Sequence, residues 1–335
     1  MCEQQATVLV RGRQQQWEAL LTESLADAGL PDLRRPRTLA TVGFVRGVRG
    51  GHLRLGRARV GVFGMAGLRD PHLVQHADGT PYVEDGHAFM TFTCAGLGFF
   101  EQAHWGVFRL RLDDPSSLEQ VAHIFTERDG LVLGDHAGQL VRDDDGWLVV
   151  NSSWGDFGSA GVHVRGTRTT DDLLTGVRLV RTDPVALPTT VGAWDPAITR
   201  IGGDWYVAFV ESPSQAPFDF HPALARTAAR SPFDDLRLVG ADGSRHQTEG
   251  TLIARDRDGW KVLTSDGDAR RYPVYDLEMR RLGYLDAAYG SNIPHAQVIP
   301  LEDGGWLMVT FDDTSYFYDT VGYGAHGSVL VLRGE

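Results

Sequence analysis

The sequence predicts an all-β fold, a five-bladed β-propeller with four-stranded blades. One hairpin pattern recurs five times, at steps of 65, 60, 54 and 46 residues. The chain of 335 residues carries 40 glycines and 8 tryptophans, a usage that suits tight turns and aromatic packing between strands. A polar residue also opens each copy at a matched offset from the aromatic that follows the turn.

In chain order, residues 14–29 (QQQWEALLTESLADAG) space Trp17, Leu20, Leu21 and Leu25 as one face of a short amphipathic helix. The helix is expected outside the ring, in an extension covering residues 1–50; residues 51–335 then form a single propeller domain. HLRLGRARVGVFG (52–64) alternates like one or two strands and is expected to complete the last blade.

The five copies follow: DPHLVQHADGTPYVEDGHAFMTFT from Asp70, DHAGQLVRDDDGWLVVNSSW from Asp135, DPAITRIGGDWYVAFVES from Asp195, HQTEGTLIARDRDGWKVLTSDGD around Glu249 and HAQVIPLEDGGWLMVTFDD from His295. Each is an apolar strand, a Gly-containing turn and a second alternating strand, which is a β-hairpin pattern. Further strand pairs follow at 106–115, 161–174 and 223–236, making four strands per unit; GSVLVLRGE (327–335) reads as a terminal strand. Repeats of this length stacked radially leave only short, protected edges. A β-sandwich would not explain five anchors at matched offsets.

The net charge of −12 argues against nucleic-acid and anionic-membrane partners, which need clustered basic residues. Lys261 is the only lysine among 32 basic residues, a bias expected of a high-GC bacterial genome. The first thirty residues lack the pattern of a signal peptide, and no stretch is apolar enough for a membrane helix, so the expected compartment is the cytoplasm. Cys2 and Cys94 form neither a disulfide framework nor a metal motif.

In a propeller, equivalent positions on the innermost strands converge at one end of the central channel. The anchors Asp70, Asp135 (or the adjacent His136), Asp195, Glu249 and His295 are therefore expected to meet there. Carboxylates gathered in one funnel repel one another and raise pKa values, a cost that a catalytic site uses.

LRDPHL around Asp70, AWDPAI around Asp195, TEGTLI around Glu249 and IPHAQVI around His295 resemble, in this order, the motifs of five-bladed propeller glycoside hydrolases, most closely family 43 and its relatives. The similarity spans residues 60–335. It implies Asp70 as general base, Glu249 as general acid and Asp195 as the residue that tunes and holds the acid. It also implies that His295 lines the channel floor, where relatives often hold a calcium ion, reached through water, or a water cluster; no other cofactor is required. Inversion needs two carboxyl groups on opposite sides of the anomeric carbon, with room for water between. The sequence departs from the family in the 69 residues that precede the base and in a Gly-Thr after the acid where Gly-Pro is commoner. The invertase and levansucrase group uses a retaining Asp, Asp, Glu set, but its first-blade motif and Glu-Cys segment are missing here.

His136, Trp154, Trp194, Phe220, His87 and Trp105 are further candidates for substrate contacts, and the aromatic loop FDDTSYFYDTVGYG (311–324) is expected to form a wall of the pocket. His72 and His76 stand four apart but have no third metal ligand in sight. The expected function is hydrolysis of small glycosides or oligosaccharides with an arabinose-, xylose- or galactose-like sugar. Two alternatives keep the fold: non-hydrolytic acid/base chemistry in a biosynthetic pathway (elimination, isomerisation, cyclisation), or a non-catalytic sugar-binding propeller. The sequence leaves the oligomeric state open.

Overall fold

The structure, a computed structural model, describes residues 5–11, 17–43, 51, 64–96, 100–156, 161–301, 303–314 and 327–334. Within them the chain is all-β, and its strands form successive sheets in a β-propeller arrangement, with Gly176–Arg181 returning from the second sheet to pair with Leu118–Arg128 of the first. Four sheets carry four or more strands. They begin on Leu68–Leu73, His136–Asp143 (with Gln75–His76 added along its edge), Gly192–Ile201 and Thr248–Asp256. A further sheet has three described strands, Gln297–Pro300, Trp306–Asp312 and Ser328–Gly334.

Alternating apolar residues on each sheet pack against the next sheet. Phe89 and Trp105 of the first share a core with Leu140 and Val149 of the second. Leu148 and Val150 of the second meet Ile198 and Val207 of the third. Ala208 and Leu224 continue into Leu252 and Val262 of the fourth, and Tyr272 packs with Met308 of the last. Leu68, Met90 and Phe92 of the first sheet share a core with Ile299, Leu307 and Val309 of the last. Hydrogen bonds add to this contact: Leu68 N–H donates to Gly327 O at 3.2 Å, and Leu73 N–H to Gln297 Oε1 at 2.9 Å.

The N-terminal helix expected over residues 14–29 is not formed. Trp17–Ser24 is a strand paired antiparallel with Gln5–Arg11. A helix this short is marginal without a packed face, whereas the hairpin satisfies the backbone of both segments. Leu20 and Leu21, assigned to the apolar face, are 64% and 50% exposed. The α-helix among the described residues is a single turn, Pro36–Leu39. The strand expected over 52–64 lies outside the described residues except for Gly64.

Close packing extends to the channel, where a Cβ on Gly138 would stand 2.3 Å from the fully buried indole of Trp105. Gly138→Ala is therefore expected to lower unfolding free energy by about 1–3 kcal/mol, the usual cost of overpacking a core, measured by urea denaturation.

Candidate active site

The inner strands of the first four sheets share one irregularity. Opposite a regular neighbour, each carries an extra residue: between Arg69 and His72, His136 and Gln139, Trp194 and Ala197, and Glu249 and Leu252. The first bulged residue has left-handed backbone in every case, with φ of 51° at Asp70, 48° at Ala137, 49° at Asp195 and 65° at Gly250. Asp tolerates this conformation better than most residues, and glycine adopts it freely. Pro71 and Pro196 at the second bulged position have no N–H to leave unpaired. The Asp-Pro pairs are thus bulge residues as well as site residues.

This register corrects the equivalence read from the sequence. The positions matching Asp70 and Asp195 are Ala137 and Gly250, while Glu249 matches Trp194 and His136, one residue earlier. Asp135 and Glu249 are therefore not anchors of the same kind as Asp70, although Glu249 still reaches the same place.

The bulges are tied sheet to sheet. Ala137 N–H donates to Thr93 Oγ1 and Asp195 N–H to Ser152 Oγ, each at 2.9 Å. Gly250 N–H donates to Asp195 Oδ2 at 2.9 Å, and the Thr251 hydroxyl donates to Asp195 O. A Cβ on Gly250 would lie 2.4 Å from the His295 ring, so only glycine lets that ring approach.

Asp70, Asp195, Glu249, His136, Trp154, Trp194, Phe220 and His295 all line one cavity of about 280 Å³. Donor atoms of Asp195, Glu249 and His295 lie within 4.8 Å of one another. Asp70 joins them through His295, whose Nδ1 is 3.6 Å from Asp70 Oδ1 and whose Nε2 is 3.4 Å from Asp195 Oδ2. Burial, then the charge of Asp195, pushes the Glu249 carboxyl up to about 8, against a smaller lowering from His295. Burial, then the charge of Asp70, also raises Asp195. The two cannot both ionise cheaply at this separation. Asp195 accepts a backbone N–H and faces His295, whereas Glu249 Oε1 accepts the Trp194 indole N–H at 3.1 Å. Asp195 thus has more support for its anion than Glu249 has.

The donor set at His295 offers one imidazole and two carboxylates. That does not fit direct calcium coordination, which takes six to eight oxygens.

Aromatic rings form one wall. Phe100 stacks on Trp154 at 5.3 Å, Trp154 meets Trp194 at 5.4 Å, and Trp194 meets Phe220 at 5.4 Å. The Trp154 turn is held from beneath by Arg128, which donates two hydrogen bonds of 2.9 Å to Asp135 and others of 3.0 and 2.6 Å to Asp156. Gly155 N–H also donates to Asp135 Oδ1 at 3.1 Å. Asp135, fully buried, is a clamp on this turn and not a cavity residue. His136 does line the cavity, with its Nε2 2.8 Å from Phe100 O and burial lowering its pKa.

Two expectations fail. His87 lies at the turn end of His87–Cys94, half-buried and outside the cavity lining, with Nδ1 2.9 Å from Asp85 O, because its strand runs away from the cavity. Trp105 is core, with no exposed surface. His72 is buried beneath His295 while His76 is exposed at a sheet edge, so they make no metal pair. Of the loop 311–324, Phe311 lines the cavity and residues 315–324 lie outside the described residues. Sequence analysis missed Arg69, Phe100 and Phe218 at the cavity. Arg69 could have been suspected from its place beside Asp70, and Phe218 from its i, i+2 spacing to Phe220. Nothing local announces Phe100.

No protein-family model and no curated protein sequence matches the chain. Solved structures do. A family 43 glycoside hydrolase (GH43_1) from Xanthomonas citri is 12% identical, with a TM-score of 0.57 over 81% of this chain and 88% of that one. A GH43 β-xylosidase/α-arabinofuranosidase from a compost metagenome, also 12% identical, gives 0.53 over 85% and 94%. The chain has the propeller glycoside hydrolase fold. A GH32 β-fructofuranosidase of Bombyx mori, 13% identical, gives 0.51 over 80% of this chain and 60% of that one, so the fold alone does not select a chemistry.

Removing Arg128 strands a buried carboxylate. Arg128→Met is expected to cost about 3–5 kcal/mol in unfolding free energy, read by chemical denaturation. A carboxyl whose folded pKa stands above its ordinary 4.5 holds its proton more tightly folded than unfolded, so its contribution to stability falls as pH rises from 4.5 to about 8. Glu249→Gln should therefore gain stability relative to wild type across that window, seen in parallel denaturation series.

Proposed function

We propose that this chain is a glycoside hydrolase on a five-bladed propeller, acting with inversion on small glycosides or oligosaccharides of an arabinose-, xylose- or galactose-like sugar. The cyclic sharing of cores, from the first sheet round to the last and back, supports the five-blade count. The chemistry rests on one observation above all: a buried Glu249, its pKa raised to about 8, held by Trp194 beside Asp195 in a cavity that Asp70 also lines. Solved relatives of this fold complexed with xylose and xylotriose support a carbohydrate as the substrate.

Glu249 gives its proton to the glycosidic oxygen as the bond to the anomeric carbon breaks. Asp70, on the first sheet and thus across the channel from the fourth, takes a proton from the water that attacks the opposite face. Asp70 stands outside the tight group of Asp195, Glu249 and His295, which suits the wider separation of acid and base in inverting enzymes. Asp195 holds Glu249 protonated by its negative charge and fixes the acid's strand through Gly250 N–H. His295 stands between Asp70 and Asp195, its ring nitrogens 3.6 and 3.4 Å from their carboxylate oxygens, and so faces base and orienter together.

Glu249→Gln and Asp70→Asn are each expected to lower kcat/KM on aryl furanosides or pyranosides by about 10²–10⁴-fold. Wild-type kcat/KM should fall as pH rises through about 8, when Glu249 loses its proton. Proton NMR of the first-formed anomer should show inversion. Full activity in both variants would overturn the assignment, and a retained anomer would overturn the role of Asp70.

A further inference from the structure

We propose that the leaving-group side of this cavity is an apolar platform at the tip of the third sheet's long hairpin, faced by Phe218, and that it selects glycosides with a flat aryl aglycone. This assignment rests on the glycosidase function proposed above. Because Glu249 protonates the departing oxygen, the aglycone must lie on the Glu249 flank, and the surroundings of that carboxyl describe what it accepts.

The strands Asp204–Gln215 and Phe218–Thr227 run on beyond the body of their sheet, and their tip pairs Gln215 with Phe218. The tip is tied to the segment that carries the acid: Phe220 N–H donates to His246 O at 3.1 Å, and His246 Nδ1 lies 3.0 Å from Asp219 Oδ1. From Glu249 the apolar surface is continuous, through the Trp194 indole and Phe220 to Phe218, whose ring meets Phe220 edge-on at 5.8 Å. Phe218 lines the cavity mouth, yet 61% of it is exposed, leaving a ring face for a ligand to cover.

Polarity divides the cavity. On the Asp70 flank, Arg69 Nη1 is 3.3 Å from Asp313 Oδ2, and Asn292 Nδ2 donates to the same oxygen at 2.9 Å, so polar groups cluster where the sugar's hydroxyls would sit. On the Glu249 flank the lining side chains beside the aromatic rings are Ile293, Gln215 and Gln247. A polyhydroxylated leaving group would lose water there against few partners, at a cost for each unpaired hydroxyl. An aryl group needs one proton, which Glu249 supplies, and gains by stacking on aromatic rings. The step is balanced: the anomeric C–O bond breaks, the aglycone leaves as a phenol carrying the Glu249 proton, and water adds with its proton passing to Asp70.

Matched 4-methylphenyl and methyl glycosides of arabinofuranose, xylose and galactose, assayed with wild type and Phe218→Ala, test this. The wild type should prefer the aryl member of a pair, and the ratio of aryl to methyl kcat/KM should fall about five- to tenfold in Phe218→Ala. Phe218→Leu, which keeps apolar area but no ring, should fall between. An unchanged ratio would overturn the platform. Calorimetric binding of 4-methylphenol needs no turnover and should weaken by a similar factor in Phe218→Ala; equal binding by both proteins, or none by the wild type, would also overturn it. If 4-methylphenol binding depends on Phe218 but the wild type cleaves no glycoside, the platform stands and the hydrolase function falls. Unchanged thermal melting of Phe218→Ala, expected for so exposed a side chain, excludes misfolding as the cause.

Discussion

The hydrogen bond from Gly250 N–H to the Asp195 carboxylate joins architecture to chemistry at one point. It is the last in a series in which a bulge N–H is handed to the preceding sheet, after Ala137 to Thr93 and Asp195 to Ser152. A bulge leaves a backbone donor outside its own ladder, and a buried donor needs a partner. Here the partner is always on the neighbouring sheet, so satisfying the bulge also sets the distance between sheets. In the fourth sheet that partner is a carboxylate, and the residue before the donor is Glu249. The bond thereby brings the Asp195 carboxylate to the backbone next to Glu249.

That proximity produces the electrostatics. Burial raises both carboxyls; the charge of Asp70 raises Asp195 further, and the charge of Asp195 raises Glu249. Asp195 has the backbone donor and His295 to support its anion, and Glu249 has the indole of Trp194. The asymmetry comes from which groups face which oxygen. His295 can reach both Asp70 and Asp195 because position 250 lacks a side chain. The aromatic wall depends on a separate buried network, in which Arg128 ties Asp135 and Asp156 under the Trp154 turn.

Much of the fold was legible in the sequence because hairpins are local: alternation, a glycine turn and an aromatic after it recur within about twenty residues. The Asp-Pro pairs were legible as site residues for the same reason. The N-terminal segment misled because WEALLTES carries both a helical face and an alternating one, and only its pairing with Gln5–Arg11 chose between them. Asp135 misled because it stands two residues before Ala137, the position that matches Asp70, and one before His136, which does line the cavity; so small a difference beside a bulge decides whether a side chain enters it. His87 misled because distance along a strand from the site is invisible until the strand's direction is known.

The sequence by itself determined the all-β character, the hairpin units and the set of Asp70, Asp195, Glu249 and His295 as residues to be brought together. Only the tertiary structure decided that Glu249 sits one register position before its apparent counterparts, that Asp135 clamps a turn, and that Phe218 faces the cavity mouth. Local patterns report what a segment can form with its near neighbours. Register across a bulge, burial of a charge and the reach of a hairpin tip depend on contacts between sheets far apart in the chain, which only packing supplies.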